Sequence, residues 1–387
     1  MIEDRNILCI ASNWWYDPTS KHHVMRLLAE RNHVIWVNYH GSRRPRIRAT
    51  DVRAAAGRLR QVIEGPRRVL ENLTVITPLV LPLPGSRTAT QVNRRLLVRQ
   101  IRSVLRQLPE RPVQLWTFAP DVDYLVGRFD EECAVYYCVD AFDEFEGYDR
   151  EAIRAAEARL IEKADLVLAA SHALYQSRRR QCPEVVYVPH GVDVEHFQAA
   201  SRATNIPEDV VSLRRPVLGF WGLIQEWVDI ELLADVARMR PEWSIAVIGE
   251  AARDVSTLSS LPNVHLLGRQ PYARLPEYAR AFDMGLIPFR INALTRAVNP
   301  IKLREYLAAG LPVVSTPLPE VEAAGLEGVY IADGAEAYVR ACERAMAENA
   351  PARAEQRRLR MNCECWRAKV AAISELVLGR CGRRVRT

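Results

Sequence analysis

Lys302 and Glu305 stand three residues apart in the run Asn299-Pro-Ile-Lys-Leu-Arg-Glu-Tyr-Leu-Ala-Ala-Gly310, shortly after the apolar stretch Met284 to Pro288. Pro300 suits the start of a helix, where its missing N–H costs nothing. Residues i and i+3 then share one helical face. A helix N-terminus favours anions through its free N–H groups and dipole, and a lysine there adds a full positive charge. A carboxylate beside it can accept hydrogen bonds from a sugar diol. Lysine for diphosphate and glutamate for ribose is the chemistry of a sugar-nucleotide site. The rival reading is a solvated Lys–Glu pair on a helix surface.

Composition gives the lysine more weight. Only Lys21, Lys163, Lys302 and Lys369 are lysines, so 49 of the 53 basic residues are arginine. At 387 residues, 49 % apolar and 26 % charged, the chain has the length and composition of two ordinary soluble domains. No leader is expected, because acids and Arg5 directly precede a strand-like Ile7–Ala11. No apolar run approaches the roughly 18–20 residues that span a bilayer. The eight cysteines are scattered without metal-ligand spacing, so no zinc site is expected, and reduced thiols point to a cytoplasmic location. No other metal is expected either, because Lys302 and the helix N-terminus can neutralise a diphosphate.

The elements that must position the pair alternate between short apolar strands and helical stretches, the signature of a parallel α/β fold. Strands are expected at 7–11, 34–38, 73–77, 113–117, 134–139, 166–169 and 185–188, with helices over 21–30, 91–108 and 150–163. A second set follows at 217–221, 244–248, 264–267, 284–287, 312–315 and 328–331, with helices over 229–240, 275–281, 301–309 and 335–348. One long helix is expected over 352–378. Ligands of open α/β sheets bind outside the carboxyl ends of the strands. The loops there should therefore carry the site, and a first-strand loop without G-x-G-x-x-G argues against a dehydrogenase.

Tyr187-Val-Pro-His-Gly-Val-Asp-Val-Glu-His-Phe197, Leu218-Gly-Phe-Trp-Gly-Leu-Ile-Gln-Glu-Trp-Val-Asp229, Asn263-Val-His-Leu-Leu-Gly-Arg269 and the run 299–310 together resemble a GT-B glycosyltransferase over nearly the whole chain. The closest likeness is to the bacterial exopolysaccharide and teichuronic-acid type, including membrane-surface glucuronosyltransferases. The resemblance implies two Rossmann-like domains, 1–195 for acceptor and 196–360 for donor, and a C-terminal helix, 361–387, returning toward the first. It implies a nucleotide-diphosphate sugar (UDP-, GDP- or dTDP-linked) as co-substrate and no cofactor. Lys302 then matches the diphosphate lysine and Glu305 the ribose carboxylate, while Gly268 and Arg269 occupy the base-holding loop. Gly222, Glu226, Arg290, Asn299 and His190 complete the expected donor side, and Trp14, Asp17 and His22 stand on the acceptor side. The chain departs from the retaining members of the fold, because residues 220–227 contain no basic residue and Ala297 stands where an acid is usual. Arg290 or Arg296 could supply the charge, against ordinary surface roles. Inversion is therefore the expected outcome.

An inverting transfer needs a base for the acceptor hydroxyl. The acidic loop after Tyr136-Tyr-Cys-Val offers Asp140, fixed at the strand end, or Asp143; a purely structural loop is the alternative. His22 is read either as an acceptor contact or as an ordinary helix-start residue. Between Gly41 and Pro112 sixteen arginines face four acids, a net of +12, so the remainder carries −6. Arg43, Arg44, Arg46, Arg48, Arg53, Arg58, Arg60, Arg67 and Arg68 precede Leu79-Val-Leu-Pro-Leu-Pro84. Arg94, Arg95, Arg99, Arg102 and Arg106 stud a helix. Such a segment suits an anionic membrane surface and a lipid-linked acceptor, or is a solvated face. Nucleic acid is disfavoured, because no aromatic residues interleave. The expected activity is a metal-independent hexosyl transfer in surface polysaccharide synthesis, peripheral to the inner face of the membrane. Its rivals are a nucleotide-sugar epimerase or hydrolase of the same fold and a non-enzymatic arginine-rich binding module.

Overall fold

Among the described residues, fourteen short strands fall into two sheets, and the order of strands in each is that of a doubly wound α/β fold. The computed structural model describes residues 1–42, 49–202 and 204–381. Arg43, Arg44, Arg46 and Arg48 of the basic segment lie outside the described residues, as does the side chain of Arg53. Two compact units emerge: Met1–Pro189 with Lys369–Thr387, and His190–Ala368.

The first unit holds β1 (Asn6–Ala11), β2 (His33–Asn38), β3 (Arg67–Leu70), β4 (Leu73–Ile76), β5 (Val113–Thr117), β6 (Cys133–Cys138), β7 (Leu166–Ala169) and β8 (Val185–Tyr187). They pair in the order β3-β4-β2-β1-β5-β6-β7-β8. All neighbours are parallel except β3 and β4. Parallel strands covered on both faces read as unbroken apolar runs. β1 and β6 are buried at every position. Sequence periodicity misses β3, because Arg67 and Arg68 are exposed on a charged sheet edge with no apolar alternation. It also misses the helices Ala49–Glu64 and His172–Arg179.

The second unit holds β9 (Val217–Trp221), β10 (Ser244–Ile248), β11 (Val264–Gly268), β12 (Met284–Ile287), β13 (Val313–Ser315) and β14 (Val329–Ile331). Their order is β11-β10-β9-β12-β13-β14, all parallel. The helix Ile301–Ala309 is buried from Leu303 to Ala309 on all sides, so it is a core helix. The expected single helix over 352–378 is in fact two, Pro351–Met361 and Trp366–Leu378. Extended backbone at Cys365 separates them, and there Val192 N–H donates to Glu364 O at 3.0 Å and Trp366 N–H to Val192 O at 3.1 Å. The break turns backbone groups outward to pair with the chain at residue 192, and helical periodicity cannot show that.

Candidate functional site

In the second unit β9 and β10 are each followed directly by a glycine and β11 ends on one, and backbone hydrogen bonds tie these ends together. Gly222 N–H donates to Ile248 O at 2.9 Å, and Gly249 N–H to Gly268 O at 2.8 Å. Gly222 has φ +137° and Gly249 φ +149°, both in the region that favours glycine. A Cβ on Gly249 would lie 1.9 Å from Gly222 O, so the two loops can stack only because Gly249 has no side chain. A Cβ on Gly222 would stand 2.4 Å from Lys302 Cε and 2.7 Å from Nζ, so the lysine lies across this bare backbone. Gly249 opens one of the loops expected to carry the site, 249–254, but is not among the expected site residues as Gly222 is.

Lys302 is half-buried, its Nζ 5.9 Å from the centre of the Phe220 ring and 5.6 Å from that of Phe289. Among the described residues it has no hydrogen-bond acceptor and no carboxylate within ion-pair distance. Burial pulls its pKa below the ordinary lysine value, and Glu305 opposes that shift. An ammonium has three donors to satisfy; here they remain for a ligand, and ring faces on either side hold the cation.

Glu305 is 5 % exposed, which rules out the solvated pair. Its Oε2 accepts from Trp221 Nε1 at 2.8 Å, and among the described residues Oε1 has no partner. Burial raises its pKa, against the Trp221 donor and Lys302; Asp193 raises it further. Trp221 is itself fixed, 4.1 Å from the Tyr306 ring and stacked on Phe197 at 5.8 Å. Phe197 closes the motif 187–197, so that motif's aromatic residue supports the carboxylate through the indole. Nothing in the order of residues announced Trp221 as this link.

The other donor-side candidates are less committed to a common point. Gly268 and Arg269 are exposed at the end of β11, and a Cβ on Gly268 would meet open space. Glu226 is exposed as well. Arg290 Nε lies 3.7 Å from Asp229 Oδ1, an ion pair at the start of the helix Ile230–Met239. Asn299 is buried, accepting from Arg304 Nη1 at 2.9 Å and donating to Glu320 Oε2 at 3.2 Å; its amide braces the turn before Ile301. His190 is buried with its ring 6.0 Å from Trp366. Arg296 is exposed.

In the first unit Asp140 follows β6 by two residues. Burial pushes its pKa up to about 6, and the nearby Lys21 ammonium pulls it down. Lys21, in the first turn of the helix Ser20–Leu28, has its own pKa lowered by burial, with Asp140 opposing. Neither makes an ion pair among the described residues. Asp143, the second candidate base, is 8 % exposed and accepts from Arg154 Nε at 2.6 Å. Arg154 also bonds Glu144, and Arg150 bonds Glu144 and the Asp143 carbonyl. This network staples the loop to the helix Arg150–Lys163.

His22 is not presented at the surface. It is 1 % exposed; Nδ1 accepts from Thr19 N–H at 3.2 Å, and Nε2 lies 3.2 Å from Trp14 O. Burial and the Lys21 charge lower its pKa to about 3, so it is a neutral helix-start residue. Trp14 is 7 % exposed, packed on His22 and Trp36. Trp15, Tyr16, Asp17 and Thr19 are exposed in that loop, with the Arg67 guanidinium 4.7 Å above the Trp15 ring.

The family description "Glycosyl transferases group 1" matches residues 215–348, the stretch that contains Gly222, Gly249, Lys302 and Glu305. The putative teichuronic acid biosynthesis glycosyltransferase TuaH of Bacillus subtilis is 29 % identical over 257 residues, which cover 61 % of this chain and 64 % of that protein. The match thus spans under two-thirds of that relative's length. Sucrose-phosphate synthase from Thermosynechococcus elongatus superposes with a TM-score of 0.70 at 16 % identity, over 96 % of this chain and 98 % of that one. Anabaena Alr3699/HepE, in complex with UDP and glucose, gives 0.64 at 15 % identity, over 96 % and 98 %. The chain has the GT-B glycosyltransferase fold, with its two parallel-sheet Rossmann-like domains, as the sequence motifs implied. Among the described residues no helix is long and apolar enough to cross a membrane.

Proposed function

We propose that the protein is a glycosyltransferase that moves a sugar from a nucleotide-diphosphate sugar, held by the second unit, to a saccharide acceptor taken by the first. The observation that carries this reading is Lys302: a half-buried ammonium with no hydrogen-bond acceptor and no carboxylate within ion-pair distance among the described residues, laid over glycine backbone, near a buried carboxylate with one oxygen unspent. A diphosphate supplies the missing anion and a ribose diol the missing donors. TuaH, named as a putative glycosyltransferase, supports sugar transfer, and the Anabaena protein in complex with UDP and glucose supports a sugar-nucleotide donor.

In the proposed transfer an acceptor oxygen bonds to the donor C1 as the bond from C1 to the diphosphate oxygen breaks. The acceptor proton passes to the Asp140 carboxylate. Lys302 and the N-terminus of the helix Ile301–Ala309 receive the charge that develops on the leaving diphosphate, which needs no metal ion. Asp140 is preferred to Asp143 because Asp143 is already held by Arg154. A carboxylate with a pKa near 6 is a better base than an ordinary one at neutral pH. A single base and the absence of basic residues in 220–227 favour inversion.

The acceptor is proposed to be lipid-linked and the reaction to belong to surface polysaccharide synthesis at the inner face of the membrane. Arg87, Arg95, Arg99, Arg102 and Arg106 are exposed along one helix and would meet anionic lipid. The test is a thermal-shift panel of UDP-, GDP- and dTDP-sugars followed by transfer assays. One nucleotide class should raise Tm, by the equivalent of about 2.7 kcal/mol at a hundredfold excess over Kd. No shift with any of them at millimolar concentration would overturn the reading.

A further inference from the structure

The first unit contains a cavity of about 580 Å³ that the proposed chemistry leaves unused, within the roughly 300–1,000 Å³ range of ligand pockets. It lies among the loops that follow β2, β4 and β5, against the helix Arg150–Lys163.

Its floor is polar and ordered. Ser42 Oγ donates to Asp121 Oδ1 at 2.6 Å, Tyr39 OH to Asp121 Oδ2 at 3.1 Å, and Tyr124 OH to Tyr39 OH at 3.3 Å. Hydroxyls, a carboxyl and aromatic rings together are the surface that polyhydroxylated ligands use. Arg87 at the edge, the first residue of the helix Arg87–Leu105, is exposed and without an ion pair among the described residues.

The rim is the opposite in character. Leu79, Leu81 and Leu83 are 50 %, 40 % and 51 % exposed, and Leu81 and Leu83 line the cavity. Between them Val80 is buried, so the three leucines occupy the outward positions of an extended strap. Pro78, Pro82 and Pro84 stiffen it. Asn93 clamps it from the helix behind, accepting from Leu81 N–H at 2.7 Å and donating to Leu81 O at 2.9 Å. Leucines held outward on a clamped strap add nothing to the core, and apolar surface grouped beside a polar cavity marks a binding site.

We propose that this cavity seats an amphiphilic acceptor, with a polyhydroxylated head group on the Tyr39–Asp121–Tyr124 floor and an apolar chain along Leu81 and Leu83. The inference rests on the glycosyltransferase reading and names the acceptor's chemistry. A soluble sugar would leave the leucines in water, and a bare hydrocarbon would cover a carboxyl and hydroxyls to which it offers no hydrogen bond. Arg87 at the mouth suits an anionic linkage between the two parts.

The test uses the full chain and two probes that differ only in the chain, n-octyl and methyl β-D-glucopyranoside, titrated calorimetrically below the micelle concentration. Burying two methylenes is worth roughly tenfold, so the octyl compound should bind at least tenfold more tightly. Ala155→Trp, at an exposed position lining the cavity, should remove that binding. Leu81→Ser combined with Leu83→Ser should bring the octyl compound down to the methyl one. All variants should bind UDP as the unaltered protein does, which shows that they are folded. Equal affinity of the two probes, no binding of either, or octyl glucoside binding unchanged by Ala155→Trp would overturn the proposal. Failure of the unaltered protein to bind any of UDP, GDP and dTDP would instead overturn the glycosyltransferase reading, with the cavity result standing apart.

Discussion

Replacing Lys302 by Met separates a binding residue from a structural one. The methionine keeps a flexible apolar chain between Phe220 and Phe289 and removes only the charge. In the free protein this ammonium has no hydrogen-bond acceptor among the described residues, so removing it leaves no group unpaired. Its folded pKa lies below the unfolded value, so the unfolded chain binds the proton more tightly. The charge therefore costs stability below the folded pKa, and the cost fades as pH rises toward the unfolded value. Lys302→Met should thus leave the ligand-free protein as stable or more so; a gain of about 1 kcal/mol would raise Tm by about 2–4 °C. Against a diphosphate the sign reverses. Two charge-assisted hydrogen bonds at about 1.5–3 kcal/mol each put the rise in Kd for UDP at about 100-fold or more. Calorimetry with UDP and a thermal scan without it read the two effects separately. A variant that is less stable yet binds UDP as before would refute the reasoning, because the lysine would then be a structural cation on two rings.

Asp140→Asn should leave the Kd for UDP unchanged and slow transfer by about 100-fold or more, the usual contribution of a general base; undiminished turnover assigns the proton to another group. The same carboxyl should give an acid limb to kcat/KM near pH 6, activity falling as pH drops and the base protonates. Lys21→Met should move that limb to higher pH, because the ammonium holds the pKa down. The stability linkage has its own direction: folded Asp140 keeps its proton more tightly than the unfolded chain, so its contribution is present at low pH and lost as pH rises through about 6. Gly249→Ala should abolish UDP binding or folding, since its Cβ would strike the Gly222 carbonyl at 1.9 Å, whereas Gly268→Ala at φ +64° in open space should cost only about 1–2 kcal/mol. Chemical denaturation of the two variants makes the comparison, and equal effects would refute the stacking of the two loops. Trp221→Phe should weaken UDP binding while leaving the ring packing in place, because Glu305 Oε2 loses its donor; unchanged affinity means that the indole does not set the carboxylate.

Much of this protein was legible in its residue order. Unbroken apolar runs separated by helical periodicity located thirteen of the fourteen strands, because a buried parallel strand must be apolar on both faces. Lys302 and Glu305 stood out because one lysine in an arginine-rich chain shares a helix with a carboxylate, and helical spacing is local. What remained hidden depends on partners distant in sequence. β3 forms only because β4 lies alongside it, and the C-terminal helices separate where residues 364–366 meet Val192. Asp143 stood second to Asp140 as a candidate base, and only the fold shows that Arg154 holds it. His22 was ambiguous until Thr19 and Trp14 occupied both ring nitrogens. Sequence by itself determined which segments are strands, which are helices and which charges are unusual, since propensity and periodicity act over a few residues. The tertiary structure decided which charges stay unpaired, since hydrogen bonds and burial are set by side chains arriving from strands that the chain order keeps far apart.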